Sequence, residues 1–274
     1  MNAVGAVHVD EGDLKMKFLT LLLTLLGLIS WTESRAAIVL ASYGAFDEGG
    51  DRQALYTLEA SSAQKGFGDF ELTSMNHSDG QTVNDSLELI YRGIGFDFEP
   101  FRLNLDIGYI SSLDKFVVDE FDYGVSRSIV GMGLSIDLNF LELHGYSRSY
   151  TPSASVKTRI DSFTLSFNPY AYQQSQVGLA MRLGFLEVQA DVGRFDRLRG
   201  RYDILGEDFK VTVPSISYSK AALLFKGSKH SVLRLEVHKI LDDQNQRDNF
   251  QKLIGTAVQR DAYDGGSLGI GFSF

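Results

Sequence analysis

The chain has 274 residues, no cysteine, and 35 acidic against 26 basic side chains, a formal charge of −9. Without cysteine there is no disulfide framework and no lipidated cysteine of the lipoprotein kind, and the acidic balance argues against a nucleic-acid partner, which needs a basic face. Beyond residue 36 no stretch approaches 18 consecutive apolar residues, so a helical inner-membrane protein is excluded as well.

Residues 1–15 are polar and carry Asp10, Glu11 and Asp13, the wrong charge for the start of a secretory leader. A full leader follows them. Met16 and Lys17 precede the apolar run Phe18 to Ile29, and Ser34-Arg35-Ala36 supplies a small-x-small cleavage site. About 12 apolar residues fall short of the roughly 20 that a spanning helix needs. The expected organisation is an upstream extension over 1–15, a signal peptide over 16–36, and one mature domain over 37–274 with a charge of −8.

The mature chain is written with a period of two, the signature of strands whose side chains alternate between faces. Strands are expected at about 37–46, 52–62, 67–77, 85–97, 101–112, 127–139, 141–151, 174–184, 185–195, 209–225, 231–241 and 265–274. Phe101, Leu103, Leu105, Ile107 and Tyr109 oppose Arg102, Asn104, Asp106 and Gly108; Met132, Leu134, Ile136 and Leu138 oppose Gly133, Ser135 and Asp137. The same split recurs at Val177–Leu183, at Leu186–Val192, and at Leu233, Leu235 and Val237 against Arg234, Glu236 and His238. The segment 157–168 also looks strand-like and is assigned to an extension above the main body. At Pro214 the apolar parity shifts from Val211 and Val213 to Ile216 and Tyr218, as at a β-bulge.

Alternation alone fits a soluble sandwich as well as a membrane barrel. Spacing and aromatic placement separate them. Short turns at Phe98-Glu99-Pro100, Asn139-Phe140 and Gly184-Phe185 alternate with long polar connections at 113–126, 196–208 and 242–263, as short periplasmic turns alternate with outer loops. Phe96, Phe98, Phe101, Phe140, Phe185, Phe225 and Phe274 gather near the short turns as one aromatic girdle, with Tyr109, Tyr146, Tyr150 and Phe195 expected in the opposite one. The last strand places Leu268, Ile270, Phe272 and Phe274 on one face and Ser267, Gly269, Gly271 and Ser273 on the other. This ending resembles the C-terminal assembly signal of Gram-negative outer-membrane β-barrels. The resemblance implies an all-β, transmembrane, antiparallel up-and-down barrel of 12 strands, with 10 or 14 as alternatives, in the outer membrane. It also implies contact with outer-membrane lipid and lipopolysaccharide, and with the barrel assembly machinery during insertion.

On that architecture the inward faces carry Arg102, Asp106, Asp137, Glu142, His144, Arg148, Arg182, Glu187, Asp191, Arg234, Glu236 and His238 as lumen-lining residues. Their mixed signs do not call for strong ion selectivity. Small inward residues, Gly108, Gly133, Ser135, Gly178, Ala180, Gly193, Gly269 and Gly271, are expected to leave room on the wall. No spacing suits a catalytic, metal or cofactor site. The acids of the outer connections, such as Asp47, Asp51, Asp242 and Asp243, lack the pattern of a calcium loop and read as a solvated surface. His77-Ser78 superficially resembles the His-x-Ser-Asn-Gly stretch of outer-membrane phospholipases, but adjacent strand residues point to opposite faces. A passive channel for small polar solutes is the leading expectation. A closed structural or surface-interaction barrel and, more weakly, a lipid-modifying acyl hydrolase are the alternatives. The leader makes a direct prediction: intact mass of the membrane-extracted protein places its first residue at Ala37, and a species retaining residues 16–36 contradicts the cleavage site.

Overall fold

The computed structural model describes residues 36–48, 51–64, 68–78, 83–116, 121–153, 156–160, 163–204, 207–212, 215–227, 230–243, 245–246 and 264–273. The leader up to residue 35, Pro214 and Phe274 lie outside the described residues. In chain order the strands are β1 (Ala36–Glu48), β2 (Asp51–Gln64), β3 (Gly68–Ser78), β4 (Val83–Phe98), β5 (Phe101–Phe116), β6 (Phe121–Asp137) and β7 (Leu141–Pro152). They continue with β8 (Val156–Ile160), β9 (Phe163–Leu183), β10 (Leu186–Ile204), β11 (Glu207–Thr212), β12 (Ile216–Lys226), β13 (Ser231–Ile240) and β14 (Asp264–Ser273).

Twelve of these close into a ring. β1 to β7 pair in succession, β7 pairs β9, β9 pairs β10, β10 pairs β12, β12 pairs β13, and β13 pairs β14. β14 returns to β1 over the ladder Ile38↔Ser273 to Asp47↔Asp264, and every pairing is antiparallel. The remaining two strands belong to an extension at the long-loop end: β8 lies beside the outer part of β9, and β11 beside the outer part of β10. The segment 157–168 is therefore part of that extension, and the wall has 12 strands.

Three details differ from the sequence expectation. The connections 113–126 and 196–208 are largely ladder, since β5 and β6 stay paired to Phe116↔Phe121 and β10 and β11 to Ile204↔Glu207. Polar side chains do not end a strand whose hairpin partner still satisfies its backbone. The stretch 209–225 is two strands, β11 and β12, yet both keep one register against β10, as the pairs Phe195↔Ile216 and Arg199↔Thr212 show. The parity change there has another cause: Ile216 and Tyr218 are apolar residues that face inward and are buried. A register shift does occur in β4, between Gly93↔Leu105 and Phe96↔Leu103, and it leaves Phe96 and Phe98 exposed on the outside beside the Glu99-Pro100 turn.

The two faces have inverted polarity relative to a soluble protein. Leu103, Leu105, Ile107 and Tyr109 on β5, Val130, Met132 and Leu134 on β6, and Leu268, Ile270 and Phe272 on β14 are all exposed, while the charged residues between them are inside. An apolar band running around the outside of a closed sheet is solvated by lipid, not water. Tyr43, Tyr56 and Tyr109 mark its long-loop edge, the first two with ring centroids 5.1 Å apart. Phe98, Phe101, Phe140 and Phe185 mark the tight-turn edge. Ile107 is 59% exposed in the middle of the band, so Ile107→Arg is expected to cost about 2–4 kcal/mol in a bilayer. Denaturant unfolding of the protein refolded in vesicles measures it.

Candidate functional site

Register fixes which residues share the interior. All twelve charged or histidine positions expected to line the lumen fall on inward faces, and the structure joins most of them into three groups. At the tight-turn end Arg182 binds Asp137 at 3.0 Å and also Glu142, while Lys226 Nζ lies 2.9 Å from Glu187. Midway along the wall Arg148 Nε donates to Asp106 Oδ2 at 2.7 Å, with its guanidinium 4.1 Å from the Tyr146 ring centroid. His144 Nε2 is 2.7 Å from Asp191 Oδ1, and Gln189 Nε2 donates to the other oxygen at 2.8 Å. On the opposite wall Arg234 reaches Glu59 through both terminal nitrogens, one at 2.8 Å, and His238 Nε2 lies 2.6 Å from Glu236. Arg102 lines the same interior from β5.

Several charged residues of the interior escaped the sequence reading, among them Glu59, Glu71, Glu88, Arg92, Arg127 and Lys220. The signal was present in the parity. Glu88 and Arg92 alternate with Leu87, Leu89 and Tyr91 along β4, and Arg92 pairs with Glu71 on β3.

Above the charged middle lies an aromatic layer. Tyr150, Tyr172, Phe195 and Tyr218 follow one another across β7, β9, β10 and β12, with centroid separations of 4.4, 6.1 and 5.2 Å. Arg127, fully buried, lies 5.5 Å from the Tyr172 centroid. The polar ends of Tyr150 and Tyr218 are joined: Tyr150 Oη is 3.0 Å from Glu88 Oε1 and 3.2 Å from Gln174 Oε1, and Gln174 Nε2 donates to Tyr218 Oη at 2.8 Å. Tyr218 Oη in turn donates to Gln176 Oε1 at 3.0 Å. Tyr146, Tyr150 and Phe195 are thus interior residues and not an outer girdle. They share parity with His144, Arg148 and Asp191, which had already marked the inward face of β7 and β10.

Several of the small inward residues do not act as open wall. A Cβ built on Gly193 would sit 2.3 Å from the Tyr218 ring, and one on Gly178 would sit 1.9 Å from Asp191 Oδ1. Gly193 is the floor on which the Tyr218 ring lies, and Gly178 leaves room for the Asp191 carboxylate. Among the described residues free space is found lower down, as a cavity of about 380 Å³ to which Gly133, Ser135 and Ala180 do contribute. Among the described residues no cluster of three or more acids or histidines is placed to hold a metal ion. His77 and Ser78 are consecutive β3 positions, opposite Asn84 and Val83 of β4, and so belong to opposite faces of the sheet. The ion-paired wall carries a prediction. Arg234→Ala takes from Glu59 and Glu236 the guanidinium between them and is expected to destabilise the barrel by about 3 kcal/mol, with Glu59→Gln in the same chain restoring part of it; denaturant midpoints of the refolded variants measure both.

No family model matches the sequence, and no curated protein matches it. The structure is similar to the NanC porin, with a TM-score of 0.52 at 11% identity, over 87% of this chain and 98% of that one. It is similar also to the COG4313 outer membrane channel from Pseudomonas putida F1, with a TM-score of 0.50 at 9% identity, over 87% of this chain and 93% of that one. At such identities the likeness is one of fold, and together with the apolar exterior and the ring of 12 strands it gives the chain the fold of a transmembrane outer-membrane β-barrel.

Proposed function

We propose that the chain is an outer-membrane channel that lets small polar solutes pass, in a Gram-negative-type bacterium, after cleavage of the leader near Ala36. The observation that carries this reading is the cavity of about 380 Å³ enclosed by the wall and lined by charged side chains of both signs. Charges are kept inside a lipid-embedded barrel only where they are paired or hydrated, and here the pairing leaves a polar space between the walls. Twelve strands also lie between the roughly 8 of a side-chain-filled barrel and the 16 to 18 of a wide aqueous pore. In this reading the cavity is the vestibule on the tight-turn side, and the layer of Arg127, Tyr150, Tyr172, Phe195 and Tyr218 is the constriction. The similar proteins named above are a porin and a channel, which agrees with a transport role and with the chain not being an enzyme.

A closed barrel acting through its outer loops is the second reading, favoured by the full burial of Arg127, Tyr150, Phe195 and Tyr218. Single-channel recording of the refolded protein separates the two. The channel reading expects small discrete openings from the parent, enlarged when Tyr150→Ala and Tyr218→Ala are combined. A parent and double variant that are both silent, though correctly folded by heat-modifiable migration, overturn it; a silent parent with a conducting double variant is the outcome the closed barrel expects.

A further inference from the structure

The cavity has more character than polarity alone. Seven carboxylates and five guanidinium or ammonium groups line it, so its net charge is slightly negative and its local charges alternate. The ion pair at its centre is incomplete. Arg148 and Asp106 are 5% and 1% exposed, and a buried arginine and carboxylate usually meet through two parallel hydrogen bonds. Here a single bond from Nε to Oδ2 joins them, at 2.7 Å, and both Arg148 Nη2 and Asp106 Oδ1 are without a hydrogen-bond partner. The guanidinium also covers the face of Tyr146, 4.1 Å from the ring centroid. Two residues that line the cavity therefore each keep one buried polar atom unmet, a donor of positive charge on Arg148 and an acceptor of negative charge on Asp106.

Three kinds of solute meet this pair differently. A net anion has to compete with Asp106 for Arg148 and faces the surplus of carboxylates. A net cation finds attraction at Asp106 but repulsion from Arg148 and from Arg92, which lies opposite Asp106 on β4. A molecule carrying both a carboxylate and an ammonium on a short backbone satisfies both atoms at once, and adds no net charge to a low-dielectric space. We infer that the solutes this barrel selects are small zwitterions of amino-acid type, bound in passing at Arg148 and Asp106. The inference rests on the channel reading and names its substrate class.

Tracer uptake into proteoliposomes of the full mature chain tests it, with four probes of similar size: L-alanine, glycerol, lactate and isopropylammonium. Alanine is expected to enter about tenfold faster than the other three, the factor one net charge-assisted hydrogen bond carries. In the uncharged double variant D106N/R148Q the ratio of alanine to glycerol uptake is expected to fall to about one, since a neutral pair offers a zwitterion no more than a polyol. Equal rates for all four probes, a ranking by net charge, or preference for glycerol in the parent overturns the zwitterion inference and leaves the channel standing. Uptake of none of them by folded parent protein overturns the channel reading itself. Should the double variant fail to fold, the ranking of the four probes on the parent decides alone.

Discussion

Closure of the backbone ladder between β14 and β1 is the constraint from which the rest of the molecule follows. A strand edge left open in hydrocarbon would carry a row of unsatisfied N–H and C=O groups, and the bilayer has no water to meet them. Joining the last strand to the first through Ile38↔Ser273 and the pairs above it removes both edges together. Once the sheet is closed, each strand has one face in lipid and one in the interior, and the period of two in the sequence becomes a radial direction.

The interior then has to satisfy itself. Twelve strands enclose a space that lumen side chains can largely but not wholly cross, and the chain answers differently at different heights. Near the tight turns the charges pair in the open, as Arg182 does with Asp137 and Glu142. In the middle the pairs are buried and arranged around a cavity. Toward the long loops the polar groups become the hydroxyls and amides of Tyr150, Gln174, Tyr218 and Gln176, linked end to end behind a stack of rings. Buried polar networks of this kind hold when each member has a partner. Arg148 and Asp106, each with one buried polar atom unmet, adjoin the cavity.

The fold was legible in the sequence wherever the two faces differ sharply in polarity. β5, β6, β13 and β14 place an aliphatic or aromatic residue against a charged or small one at nearly every step; their faces agree with expectation, and so, to within a residue, do the bounds of β13 and β14. The girdle assignments of Tyr146, Tyr150 and Phe195 failed for a physical reason. Aromatic rings are at home both at a membrane interface and in a packed interior, so residue type does not separate the two, while parity against His144 and Asp191 does. The inward glycines misled in the same way. Composition shows a missing side chain at Gly178 or Gly193, but whether the space is empty depends on the neighbour on the next strand, and that depends on register. The single bond between Arg148 and Asp106 was beyond reach, because it depends on the direction in which one guanidinium points, and residue type and parity do not carry that.

The hairpins at the outer rim carry a consequence for how such a chain changes over time. β5 and β6 continue past the apolar band without a break in register, and so do β10 and β11. Lengthening or shortening a hairpin by the same number of residues in both arms moves only its tip and leaves every residue below facing as before. An unmatched single residue inserted below the rim would turn the rest of that strand inside out, placing charges in lipid. Length variation in this wall is therefore confined to the rim, and the outer surface is free to diversify while the barrel beneath it stays fixed in both size and inventory.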